Sequence, residues 1–597
     1  MNGSIVLTTR KWLVYQLYLT CVATVFAHSV QSDENSENFA IVRGNFAIVR
    51  GNNAVATVHP LATKAAEQQL MSGGNAIDAA IAAALTLGVV DSYNSGIGGG
   101  LFALVHWSDG SIEAIDGREM APAQAHRDMY IQSGKVMDQW SREGAMAVGI
   151  PGSVAAFDYL LRKGGRQSFA NLLLPAARIA EQGFTITPQF YRRLQRSHKS
   201  LSKFNASRAI FLNQDGKPWP VGHRLQQQDL ANTYRKLAKY GADYFYKGAF
   251  PAAVHQWMQV NNGIITAKDF SRYQLRFRQP ITSRFMGYTI YGFPPPSSGG
   301  ITVAQILNIL QHFELQDVSE ANKLHIVAEA MKLAFADRAH WLGDPDFIEI
   351  PDGLTAPNYG KSLAKKISLQ RATAISTHSN PFNLAPNPPH FSSHMQTDLL
   401  DRHTTHIAVA DSEGNWVAIT TTLNTSFGSK VVIPGTGVLL NNQMDDFSAQ
   451  PGIPNAYGLV GSEANSIQPW KRPLSSMSPT IVLKGKQPIM TIGAAGGPMI
   501  INQVVQGLIN HLLLQQPLPQ ALANPRIHQQ WRPDILFVDK KLSQPLRQRL
   551  TDKGHQLKTL NYEGSTNAIS RLNGQLTAVS EPRIKGRNQK IIPISTN

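Results

Sequence analysis

The run His403-Thr404-Thr405-His406-Ile407-Ala408-Val409-Ala410, continued by Asp411-Ser412-Glu413-Gly414-Asn415 and Trp416-Val417-Ala418-Ile419-Thr420-Thr421-Thr422, reads as a hairpin. β-Branched and apolar residues fill both arms and turn-forming residues separate them, so two antiparallel strands are expected at 405–410 and 416–422. Further strands are expected at 101–107, 286–292, 431–440, 479–484 and 488–494. Around them the apolar positions follow a helical period at 61–71, 76–87, 153–164, 171–182, 226–240, 301–313, 322–341 and 502–515. Gly73-Gly74 ends the first of these helices, and the Ala-rich second is apolar on most faces and so belongs in a core. Packed helices with mainly antiparallel strands make an α+β chain in which helices are layered over stacked sheets.

No Gly/Ser linker or long charged run divides the 597 residues, of which 43% are hydrophobic and 16% charged, a folded protein's composition. At the N-terminus, Arg10 and Lys11 precede an apolar run from Trp12 to about Ala27, with Ser29, Gln31 and Ser32 after it. That order is the layout of a secretory signal, expected to span 1–27, and it implies an exported, periplasmic or extracellular protein. The run is shorter than the roughly 20 apolar residues of a membrane helix and is interrupted by Gln16. Cys21 is the single cysteine and lies in this segment, so the remaining chain has no thiol for disulfide, zinc-thiolate or nucleophile chemistry. The heptapeptide Phe39–Asn45 is repeated as Phe46–Asn52, which is expected to be a tolerant linker.

The net charge of +16 has its densest cluster at Arg192, Arg193, Arg196, Lys199 and Lys203, a spacing that suits one solvated helix face. Without aromatics interleaved along a stripe, it does not make a nucleic-acid groove, and no nucleic-acid partner is expected. Ser95-Gly96-Ile97-Gly98-Gly99-Gly100 lacks the lysine and hydroxyl of a phosphate loop and is expected to serve close backbone packing. No His or acidic pair has metal-ligand spacing, so neither a catalytic metal nor a cofactor is expected.

Thr404 heads a strand. If the bond between His403 and Thr404 is broken, one residue carries both an attacking hydroxyl and a free α-amine. An α-amine titrates at about 7.7–8.0, far below lysine, so an appreciable fraction is neutral base near neutral pH.

Beyond the hairpin, the sequence continues with Thr420-Thr421-Thr422-Leu423-Asn424-Thr425-Ser426-Phe427-Gly428, Leu440-Asn441-Asn442-Gln443-Met444-Asp445-Asp446-Phe447, Pro473-Leu474-Ser475-Ser476-Met477-Ser478-Pro479-Thr480 and Gly496-Gly497. Upstream stand Asp116-Gly117-Arg118-Glu119-Met120-Ala121-Pro122 and Pro294-Pro295-Pro296-Ser297-Ser298-Gly299-Gly300. In these motifs the chain, from about residue 53 to its end, resembles the γ-glutamyltransferase family. The resemblance implies a four-layer αββα sandwich of the N-terminal-nucleophile hydrolase type. It also implies self-cleavage before Thr404 into a large subunit, 28–403, and a small subunit, 404–597, which stay together as a heterodimer. The implied substrates are glutathione and related γ-glutamyl compounds, with water, amino acids or dipeptides as acceptors.

Matched position by position, the resemblance makes Thr404 the nucleophile, Thr422 the hydroxyl that orients it, and Gly496 and Gly497 the oxyanion-hole pair. Arg118, Ser475 and Ser476 suit an α-carboxylate, because guanidinium offers a fork for two oxygens. Asn424, Gln443 and Asp446 suit an α-ammonium. Pro451–Gly458 resembles a lid loop, with Tyr457 as its closing residue. Leu101, Ala408 and Ala495 depart from the family's usual residues; the loss of a proline at 495 is expected to loosen the oxyanion loop. Two alternatives stand beside this reading: an acylase of the same fold acting on glutaryl side chains, and an uncleaved γ-glutamyl-binding protein.

Overall fold

The computed structural model describes residues 42–43, 47–382, 403–560 and 565–583. The expected signal segment, Cys21 and most of the first heptapeptide lie outside them. Two seven-stranded sheets form the centre of the molecule. The first runs Arg276–Arg278, Ile112–Gly117, Gly100–His106, Trp416–Thr422, Thr405–Ala410, Asn53–Ala56 and Ala47–Arg50, antiparallel throughout. The second runs Val42–Arg43, Gln575–Ser580, Asn567–Leu572, Gln487–Gly493, Thr480–Lys484, Tyr288–Gly292 and Ile281–Phe285, and only its first pair is parallel.

The sheets pack face to face. Phe102 stacks on Phe293 with ring centroids 4.2 Å apart, and Gly493 meets the His406 ring so closely that a Cβ there would lie 2.3 Å from it. Helix Ala76–Val90 covers the outer face of the hairpin strands, while Gly299–Leu310 and Met499–Leu508 cover the second sheet. Ala76–Val90 is buried along its whole length, as its composition requires. It starts at Asn75, whose side chain accepts from the N–H groups of Ile77 and Asp78, while Asp78 accepts from Asn75 in return. The order helix, sheet, sheet, helix is the expected αββα sandwich.

Four expectations need correction. Residues 431–440 are not a strand: only Val432 and Leu439 form a bridge, because the chain turns through Pro434, with Gly435 and Gly437 at positive φ. The duplicated heptapeptide is not a linker; Val42–Arg43 from its first copy and Ala47–Arg50 from its second edge different sheets. Arg193 is not on a solvated face. On helix Pro188–Leu201 it is buried with its guanidinium over the Tyr93 ring at 5.8 Å. The helix expected at 502–515 starts at Met499 and ends at Leu508, followed by a wider turn over Ile509–Leu513.

Candidate active site

The hairpin register pairs Thr405 with Thr421, which brings Thr404 beside Thr422. Their hydroxyl oxygens are 2.9 Å apart, and Thr422 Oγ1 also accepts from the Asn424 N–H at 2.9 Å. Thr404 has φ +92°, a region that β-branched residues avoid, at a cost of about 1–3 kcal/mol. The carbonyl of the preceding His403 accepts from Gly496 N–H at 3.1 Å. The oxygen of the peptide bond that precedes the candidate nucleophile thus faces a candidate oxyanion donor.

Gly496 and Gly497 have φ +131° and +56°, and a Cβ on Gly497 would lie 2.6 Å from the Tyr457 ring. Ala495 does not leave this loop loose. Its N–H donates to Ser565 O at 3.2 Å, a bond proline could not make, and its carbonyl accepts from Gln503 Nε2 at 2.8 Å. Gln503 is fixed in turn by Arg526 at 2.7 Å, and Arg526 by Glu581 at 3.0 Å. The expected loosening is replaced by a buried polar brace. On the other side, the Ser95–Gly100 loop packs as expected: a Cβ on Gly99 would come within 2.0 Å of Thr422 O.

A narrow cleft opens beside Thr404. Arg118, Arg338, Thr422, Asn424, Gln443, Asp446, Tyr457, Ser475, Ser476 and Gly497 all line it, together with Leu459, Leu474, Met477 and Ile500. Every expected substrate residue is therefore present, although they come from segments more than 300 residues apart. Gly496 and His403 are not part of this lining; they meet each other next to Thr404.

The partners within the cleft differ from expectation in one respect. Arg118 does not bond the serines: it donates to Asp446 Oδ2 at 2.5 Å and to the Pro473 carbonyl at 3.1 Å. Gln443 Nε2 donates to the same Asp446 oxygen at 2.8 Å, leaving Gln443 Oε1 buried without a hydrogen-bond partner. Asn424 gives an amide proton to Asn442 O at 2.9 Å. The arginine that reaches Ser476 is Arg338, at 3.1 Å. Sequence reasoning missed Arg338, which looks like an ordinary cation in the last turn of helix Glu320–Trp341; only burial distinguishes it.

Tyr457 is buried, and its hydroxyl donates to the Asn424 carbonyl at 2.7 Å. The neighbouring Ala456 N–H donates to Asp445 Oδ2 at 2.9 Å. The two histidines beside Thr404 are weak bases: burial lowers His406 to about 3, and burial with Arg193, Lys430 and Arg196 nearby lowers His403 well below the usual range. Glu119, buried next to Arg118, is pushed up to about 7 by desolvation against the pull of that guanidinium.

The histidines and carboxylate of His325, Glu329 and His555 converge closely enough to hold an ion, yet none of them lines the cleft. Their atoms already serve one another. His325 bonds His555 at 2.8 Å and Ser368 O at 2.7 Å, while Glu329 meets the Lys332 ammonium at 3.0 Å. That ammonium opposes a cation, and we assign the group to packing.

A sequence profile described as gamma-glutamyltranspeptidase matches residues 62–591. The glutathione hydrolase proenzyme of Escherichia coli (strain K12) is 41% identical over 535 residues, covering 89% of this chain and 90% of its own. Cephalosporin acylase from Bacillus halodurans superposes with a TM-score of 0.79 at 27% identity, covering 93% of this chain and 98% of that one. A γ-glutamyltranspeptidase chain from Helicobacter pylori gives a TM-score of 0.51 at 34% identity, covering 55% of this chain and 93% of that one. The profile match over most of the chain, carried by a sandwich with Thr404 at its cleft, places the protein in the γ-glutamyltranspeptidase family.

Proposed function

We propose that the protein is a self-processing γ-glutamyltransferase and glutathione hydrolase. Thr404 Oγ1 attacks the carbonyl carbon of His403, the acyl group moves from nitrogen to oxygen, and water hydrolyses the ester. The products are a His403 carboxylate and a free Thr404 α-amine, leaving pieces 28–403 and 404–597 associated after removal of 1–27 on export. One observation carries this reading: Thr404 stands at φ +92° with its hydroxyl on Thr422 while the His403 carbonyl lies on Gly496 N–H. Strain in the bond, a positioned nucleophile and an oxyanion donor meet at one peptide.

The freed amine then takes the proton of the Thr404 hydroxyl as that oxygen attacks a γ-glutamyl carbonyl. Burial makes both nearby histidines weak bases, which leaves the amine to take this proton. Gly496 and Gly497 receive the oxyanion, and the leaving amine departs with a proton. Water or an amino acid or dipeptide amine resolves the ester, giving hydrolysis or transpeptidation. The unpartnered Gln443 Oε1 next to the Asp446 carboxylate suits an α-ammonium. Tyr457, held to Asn424, acts as a lid that excludes water from the acyl-enzyme.

The likeness to a cephalosporin acylase favours a second reading, in which the acyl group is glutaryl and no ammonium is bound. Denaturing mass analysis of the protein beside Thr404→Ala, followed by γ-glutamyl and glutaryl anilide hydrolysis, separates the two. The expected result is a fragment beginning Thr404-Thr405-His406, absent from the variant, and faster γ-glutamyl cleavage. One intact chain in both samples would overturn self-processing, and faster glutaryl cleavage would favour the acylase.

A further inference from the structure

Arg338 has no part in the reaction as derived so far, yet it is a buried guanidinium, 4% exposed, on the wall of the cleft. It has no ion-pair partner among the described residues; Asp446, whose charge it feels, is bonded to Arg118. Its Nε donates to Ser298 Oγ at 2.9 Å and its Nη2 to Ser476 Oγ at 3.1 Å. A serine hydroxyl has one proton to give. Ser298 gives its proton to the Ser475 carbonyl at 2.7 Å. Ser475 Oγ accepts from Met477 N–H at 3.1 Å, and Ser476 Oγ accepts from Arg338. With N–H donors on their lone pairs and no acceptor for their protons among the described residues, both hydroxyls at the cleft are left as donors to an anion.

We propose that Arg338 is the positioning residue for the carboxylate end of the cleft. It turns the Ser476 hydroxyl toward a substrate α-carboxylate and supplies positive charge that Arg118, engaged by Asp446, does not supply alone. This rests on the γ-glutamyl reading and names the group that sets its affinity. A buried, uncompensated guanidinium is costly in the empty cleft and is compensated when an anion enters.

The test uses the mature protein and three anilides. These are γ-glutamyl; glutaryl, which keeps the carboxylate and lacks the ammonium; and 4-aminobutyryl, which keeps the ammonium and lacks the carboxylate. Arg338→Met is expected to raise KM for the first two by about 30-fold with kcat within about threefold. Its kcat/KM for 4-aminobutyryl anilide should stay at the parent value, and Arg338→Lys should recover part of the loss. Equal losses on all three substrates, or a fall in kcat alone, would overturn the proposal in favour of simple structural support.

If Arg338→Met does not mature, Ser476→Ala must reproduce the carboxylate-selective rise in KM, and its failure to do so also overturns the proposal. A parent enzyme that prefers glutaryl anilide defeats the γ-glutamyl reading, while the glutaryl and 4-aminobutyryl contrast still judges Arg338. Should none of the anilides turn over, calorimetry of L-glutamate and 4-aminobutyrate decides. Weakening confined to glutamate supports the role, and equal weakening removes it.

Discussion

The two ends of the cleft are built by different means. At the Thr404 end, one hairpin and one glycine loop bring hydroxyls and backbone N–H groups to the His403–Thr404 bond. At the other end, charged and polar side chains converge from 118, 338, 443–446 and 475–476. Backbone donors cannot adjust much and so favour a transition state; long charged side chains recognise what enters. The division predicts that changes at the first end act on kcat and those at the second on KM.

The largest effect belongs to Thr404→Ala. It is expected to abolish self-cleavage and lower γ-glutamyl turnover by at least about a thousandfold, read by mass analysis and anilide release. Gly497→Ala sets a side chain at φ +56° against the Tyr457 ring. It should lower kcat by about a hundredfold with KM little changed; an equal rise in KM would break the division. Asp446→Asn tests the opposite end, with KM for γ-glutamyl anilide rising about 30-fold while glutaryl anilide is almost unaffected. Tyr457→Phe removes the hydroxyl that donates to the Asn424 carbonyl. It should cost about fivefold in kcat/KM and raise the share of hydrolysis over transfer, measured by product ratio with an amine acceptor present.

A pH profile sharpens the first end. Burial lowers the pKa of both His403 and His406, so both stay neutral as pH rises through the working range. The acid limb of kcat/KM should therefore follow the Thr404 α-amine, with activity rising as it deprotonates near about 7.7–8.0 in the absence of a shift. An acid limb that follows a histidine instead would remove the amine from its role.

The same division explains what could be read from sequence. The hairpin was legible because a strand period and a turn fix a register, and register places Thr404 next to Thr422. The family motifs supplied Arg118, Asp446 and the serines, but not which of them touch. The Arg118–Asp446 bond and the approach of Arg338 to Ser476 depend on segments that meet only in three dimensions. Residues 431–440 read as a strand because two apolar runs, Val431–Ile433 and Val438–Leu440, stand there, while Pro434 and two glycines between them turn the chain. The hydrogen bonds at Ala495 were not legible because their partners, Gln503 with Arg526 and Glu581, are assembled from remote parts of the chain.

In both sheets, strands that follow Thr404 lie between strands that precede it. In the first, 405–410 and 416–422 are flanked by 100–106 and 53–56; in the second, 480–493 and 567–580 are enclosed by 42–43 and 288–292. On the proposed cut, this interleaving outlives the connection that guided it. The two pieces cannot part without breaking ladders in both sheets, and once unfolded they would have to find each other as separate molecules. The protein would then fold once, as a single chain, and afterwards owe its persistence to slow unfolding rather than to an equilibrium it could re-enter.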